Sequence, residues 1–144
     1  MQLINGHTKV YLFVHAIWAV KDREPLLTKP IRTILFSHLQ KNAEEKGIRV
    51  LAVDGVDDHI HCLIQMLPAQ NLVQVINSLK TEGAGWINES RFIKRFFEWQ
   101  EGFAAYSVSP SGVKQVMDYL PKQEEYHKTK TLESELDVFD KIQF

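Results

Sequence analysis

The feature that most constrains this chain is one uninterrupted run, residues 10–20, that holds no Asp, Glu, Lys or Arg. Its β-branched and aromatic residues, Val10, Tyr11, Phe13, Val14, Ile17 and Trp18, suit a pleated and packed surface, so the run is expected to form a central strand. Charge returns at Lys21-Asp22-Arg23-Glu24-Pro25 and ends it. From Thr28 the apolar spacing becomes helical: Ile31, Ile34, Leu35, His38, Leu39 and Ala43 share a face as far as Gly47, with Pro30 placed for a first turn. Residues 48–53 and 58–67 then read as two strands, joined through Asp54-Gly55-Val56-Asp57 into a hairpin.

Pro68 breaks the chain, Asn71 can cap, and Leu72, Val75, Ile76, Leu79, Gly83, Trp86 and Ile87 line one face of a second helix. Residues 99–108 are expected to be a fourth strand. Ser109-Pro110-Ser111 then opens a helix with Val113, Val116, Met117 and Leu120 as its stripe. The order is strand, helix, strand, strand, helix, strand, helix. It predicts an α+β fold: a four-stranded antiparallel sheet of split βαβ, ferredoxin-like topology, helices on one face and an appended C-terminal helix. The stretch beyond Thr131 receives no firm element.

A length of 144 residues suits one domain, 1–144, and 44% hydrophobic with 24% charged residues argues against a disordered or fibrous chain. The single cysteine, Cys62, cannot form an internal disulfide, which points to a reducing, cytoplasmic setting. No apolar run approaches the roughly 18 residues of a membrane span. Residues 1–9 lack the basic-then-apolar order of an export signal, so neither export nor membrane insertion is expected. A net charge of -1 gives no overall pull toward nucleic acid, and any such pull must come from local clusters. Lys21 with Arg23, Arg91 with Lys94 and Arg95, and Lys122 with Lys128 and Lys130 are three; most such charges are ordinary solvated surface.

The chemistry-bearing residues lie in two segments. In Asp58-His59-Ile60-His61-Cys62-Leu63-Ile64-Gln65-Met66, strand alternation sends Ile60, Cys62, Ile64 and Met66 to one face and His59, His61 and Gln65 to the other. Two imidazoles at i, i+2 stand roughly 6.5 Å apart on the same side and can converge on one cation. Periodicity alone leaves open a plain pair of partly exposed strand histidines. Tyr119 and Gln123 are spaced i, i+4, one face of a continuous helix, and His127 continues the row. A tyrosine hydroxyl, with pKa near 10, is a weak nucleophile unless a nearby cation polarises the phosphate it attacks. Pro121 removes a helical hydrogen bond between them and can kink that helix. Tyr126, Tyr106 and Tyr11 remain rival hydroxyls.

Taken together, Asp58-His59-Ile60-His61 and the run from Tyr119 through Gln123 to His127 resemble the small single-tyrosine insertion-sequence transposases of the HUH nuclease superfamily, the insertion-sequence-200-like family. The likeness extends through residues 18–27 and 98–109. The resemblance implies that His59, His61 and Gln123 ligate a divalent metal, Mg²⁺ or Mn²⁺. It implies that Tyr119 attacks DNA to form a 5′-phosphotyrosine, and that a homodimer acts on single-stranded DNA with hairpin ends in a bacterial or archaeal nucleoid. Lys21, Arg23, Lys80, Arg91, Lys94, Arg95 and Lys122 are the candidate DNA contacts. Tyr126 stands where the family often has a histidine. Two other readings remain: a host-adopted relative nicking repeated hairpins, and a non-catalytic module stacking single-stranded nucleic acid on Tyr11, Phe13, Trp18 and Phe103.

Overall fold

The computed structural model describes residues 8–142, so most of the N-terminal stretch judged for an export signal lies outside the described part. The uncharged run forms strand β1, Leu12–Ala19. Helix α1, Lys29–Glu45, follows with Pro30 in its first turn, and it stops where Gly47 takes a positive φ of 73°. Strands β2, Arg49–Gly55, and β3, His59–Met66, form the expected hairpin. Gly55 is needed there: a Cβ would lie 2.9 Å from the Ile60 Cα and closer still to the His59 carbonyl. Helix α2, Leu72–Ser90, is capped by Asn71, whose side chain accepts from the Gln74 amide at 3.1 Å.

The sheet is closed by β4, Ala104–Val108, in the order β2-β3-β1-β4 with every pair antiparallel. The fourth strand is shorter than the sequence pattern predicts. Residues 99–103 leave the sheet because Trp99 has a better use: its indole donates to the Lys80 carbonyl at 2.8 Å and packs edge-on to Phe97 and Trp18. A single bridge, Val20 to Trp99, is all the pairing left there.

Alternation along β1 and β3 builds two unequal cores. Val14, Ala16 and Trp18, with Ile60, Cys62 and Ile64, face α1 and α2 and are buried against Leu35, Leu39, Ile76 and Ile87. Phe13 and Leu63 face the other way and are covered by Leu120. That second cover is not the one straight helix the pattern predicts. Pro121 splits it into α3, Val113–Tyr119, a 3₁₀ turn over Leu120–Lys122, and α4, Gln123–Tyr126. A further helix, α5, Leu132–Ile142, completes it. Arg32 of α1 pairs with Glu124 of α4, and Tyr106 of β4 donates to Asp140 of α5 at 2.9 Å, so both ends of the cover are tied down. With both faces packed, Phe13 and Trp18 are buried on opposite faces of the sheet and are not open to stack a base. Among the described residues, no helix is long and apolar enough to cross a membrane.

Candidate metal centre and nucleophile

His59 and His61 stand on the smaller-core face of β3, where the sequence leaves open a solvent-facing pair; the structure buries both, at 1% and 0% exposure, beneath the C-terminal helices. Each ring is held by its Nδ1. His59 donates from Nδ1 to Asp58 Oδ1 at 2.8 Å. Asp58 is itself gripped by Arg23, whose Nε and Nη2 donate to Oδ2 at 3.1 and 3.0 Å. Burial alone would raise the Asp58 carboxyl, but the His59 hydrogen bond and the charges of His59 and Arg23 hold it below its ordinary value. His61 Nδ1 lies 2.8 Å from Nε2 of His15, a buried histidine in the middle of β1. Desolvation lowers His15 to about 3 and drops His61 well below 6.5, with neighbouring histidines adding to both, so the two rings are neutral at pH 7.

The far nitrogens, Nε2 of His59 and of His61, are buried with no hydrogen-bond partner. Unsatisfied buried polar atoms are uncommon, and two side by side call for a ligand. Around them stand His127, just past α4, and Glu135 of α5. One donor atom from each of His59, His61, His127 and Glu135 lies within 4.8 Å of all the others. Glu135 Oε1 is 3.2 Å from His61 Nε2, 3.2 Å from His127 Nε2 and 4.0 Å from His59 Nε2. Burial raises its carboxyl to about 7, against the pull of His59. Gln123 is fully buried in the same cluster, its Oε1 3.1 Å from His127 Nε2 and its Nε2 donating to Glu135 Oε2 at 3.3 Å. Imidazole nitrogens, a carboxylate and an amide oxygen are donors a divalent metal accepts.

Tyr119, at the end of α3, is half-buried beside this cluster, its ring centroid 6.3 Å from His61 and 6.5 Å from His15. The 3₁₀ turn does not throw Gln123 off course: it reaches the cluster, and the Tyr119 ring stands beside it. Tyr126 lies 6.0 Å from Tyr119 and 5.0 Å from His127 by centroids, so it too borders the cluster, whereas Tyr106 is engaged by Asp140 and Tyr11 is exposed on the strand approach.

Several candidate DNA contacts have structural employment. Lys21 pairs with Glu98 at 3.1 Å, Arg23 with Asp58 and Glu133, and Arg95 with Glu24. Lys80 donates to the Gln100 and Gly102 carbonyls at 3.0 and 2.8 Å, bracing the loop before β4. Arg91, Lys94 and Lys122 are exposed and, among the described residues, make no ion pair. Sequence reading missed His15 and Glu135. The signal for Glu135 is its place among Leu132, Leu136 and Phe139, a charge on what is otherwise the apolar stripe of α5.

The four-stranded antiparallel sheet with its helices is the fold of solved transposases. A crystal structure of a Deinococcus radiodurans R1 transposase superposes with a TM-score of 0.66 at 23% identity, covering 85% of this chain and 98% of that one. The structure of a REP-associated tyrosine transposase bound to a REP hairpin gives 0.62 at 13% identity, covering 86% and 74%. Within that class the sequence is decisive: residues 8–123 match the family "Transposase IS200 like", and the chain belongs to it. Among relatives, the ISDra2 transposase TnpA of Deinococcus radiodurans is 24% identical over 129 residues, covering 85% of this chain and 92% of its own. The transposase for insertion sequence element IS200 of Salmonella typhimurium is 27% identical over 129 residues, covering 85% and 84%.

Proposed function

We propose that this transposase cleaves and rejoins single-stranded DNA through a covalent bond to Tyr119, with His59, His61 and Gln123 holding Mg²⁺ or Mn²⁺. The observation that carries the reading is the seat of Tyr119: its ring lies beside His61, next to two buried imidazole nitrogens that have no protein partner. A bound dication supplies a Lewis acid that polarises the scissile phosphate and offsets the charge that develops on it. Tyr119 forms a phosphorus–oxygen bond as the bond to the leaving 3′-oxygen breaks, giving a 5′-phosphotyrosine and a free 3′-hydroxyl. Attack by a 3′-hydroxyl reverses the step, restores a phosphodiester and releases Tyr119. One ester replaces another, so no external energy source is required. Asp58 and His15 hold the two imidazoles in place by their Nδ1 atoms, and the packed helices keep the cluster dry.

The relative solved with a REP hairpin supports hairpin-ended DNA as the substrate, and the family resemblance supports a homodimer as the working form. Arg91, Lys94 and Lys122 are free to meet phosphates, and the exposed rings of Phe92 and Phe96 beside the first two offer faces to unpaired bases. Incubation with labelled single-stranded hairpin DNA and Mn²⁺ or Mg²⁺, resolved on a denaturing gel, tests the reading. A metal-dependent protein–DNA adduct is expected from the native chain and not from Tyr119→Phe or His61→Ala. An adduct that survives Tyr119→Phe moves the nucleophile to Tyr126, and binding without any adduct removes the catalytic reading.

A further inference from the structure

Resting on the metal-site reading above, the geometry assigns two further ligands: we propose that Glu135 of α5 and His127 join His59, His61 and Gln123 around the ion. Neither Glu135 nor His127 falls within residues 8–123, the part matched by the family. His59 Nδ1 faces the Asp58 carboxylate at 2.8 Å, and His127 Nδ1 faces the Lys130 carbonyl at 2.9 Å. Both partners only accept, so both Nδ1 atoms carry the hydrogen. Each ring therefore turns its Nε2 toward the cluster. His61 Nε2, buried without a hydrogen-bond partner, joins them.

These nitrogens surround Glu135 Oε1, at 3.2, 3.2 and 4.0 Å, and that oxygen is also a lone-pair donor. Four metal-capable donor atoms, all within 4.8 Å of one another and mostly buried, converge as they would around a single cation. Ligands on one ion with bonds near 2.1 Å stand roughly 3–3.4 Å apart, close to the 3.2 Å that separates Glu135 Oε1 from His61 and His127 Nε2. Gln123 Nε2 holds the outer oxygen, Oε2, which fixes the carboxylate with Oε1 inward. Ligating histidines whose other nitrogen donates to a carboxylate or carbonyl are the usual arrangement at metal sites. Three imidazoles suit a transition-metal dication such as Zn²⁺ better than Mg²⁺, which prefers an oxygen shell.

The test is titration of the full chain with Co²⁺ and with Zn²⁺, following visible absorption and calorimetry, for the native protein, Glu135→Gln and, as control, Asp137→Asn on the exposed side of α5. Glu135→Gln is expected to weaken binding tenfold or more and to change the Co²⁺ band, with Asp137→Asn unchanged. Affinity within twofold and an unaltered band for Glu135→Gln overturn the proposal. Should that variant fail to fold, a crystal of the native chain grown with Zn²⁺ decides: a Glu135 oxygen at about 2.0–2.2 Å from the ion supports it, and one beyond bonding distance overturns it. These readouts are separate from DNA cleavage. Metal bound through Glu135 without a DNA adduct upholds the ligand and removes the strand-transferase reading, whereas an adduct with Glu135 unbound does the reverse.

Discussion

At the scale of single residues, the imidazoles of this site are defined by what their far nitrogens touch. His15 has no route to solvent or to a carboxylate; it meets His61 on one side and the ring of Phe139, 5.3 Å away by centroids, on another. Its protonation is therefore a stability matter. Folding lowers its pKa from 6.5 to about 3, so the unfolded chain binds a proton below pH 6.5 that the folded chain refuses until about pH 3. The stability contributed by the neutral ring is complete above pH 6.5 and is lost as pH falls toward 3. Glu135, raised from 4.5 to about 7, works oppositely: its contribution is complete below pH 4.5 and is lost as pH rises through 7. The native chain sums both, so the comparison must be with a variant. In metal-free protein, His15→Gln should flatten the fall in stability between pH 6 and 4 by about 1.4 kcal/mol per pH unit, measured by urea unfolding at a series of pH values. Parallel pH profiles would show that His15 is protonated in the fold.

At the scale of elements, the site depends on a thin seam. Where α1 and α2 share a broad core with the sheet, the helices that carry Tyr119 and Gln123 rest on Phe13, Leu63 and Leu120. Leu120, 1% exposed and next to Tyr119, is the one fully buried side chain of the 3₁₀ turn. Leu120→Ala leaves a cavity and should cost about 2–5 kcal/mol. Because the loss falls on this seam, DNA-adduct formation should drop under conditions where circular dichroism still shows a folded chain; equal loss of both would mean the cover and the sheet unfold as one unit. The element-level reading of the sequence was good where one physical pattern dominated. Asn71, Pro30 and the switch between period 2 and period 3.6 located α1, α2 and the hairpin to within a residue or two. It failed at residues 99–103, where apolar content resembles a strand but Trp99 and Lys80 spend their hydrogen bonds on a loop. It also drew one helix where Pro121 leaves two.

For the whole molecule, a net charge of -1 means that no general field draws DNA in, and binding must rest on a local patch. Ion pairs occupy Lys21, Arg23 and Arg95, while Arg91, Lys94 and Lys122 face solvent and, among the described residues, make none. Replacing these three with alanine should lower the log–log salt slope of single-stranded DNA binding by about 2, read by fluorescence anisotropy across a salt series. An unchanged slope would assign the phosphate contacts elsewhere. The sequence alone determined the split βαβ order and the spacings of His59 with His61 and of Tyr119 with Gln123, because these follow from periodicity and short-range separation along the chain. Only the tertiary structure decided that the histidine face is buried, that His15 reaches His61 across two strands, and that Glu135 enters from α5. Those contacts join residues 46 to 76 positions apart, and no local pattern specifies which strand or helix will lie against which until the sheet has been covered on both sides.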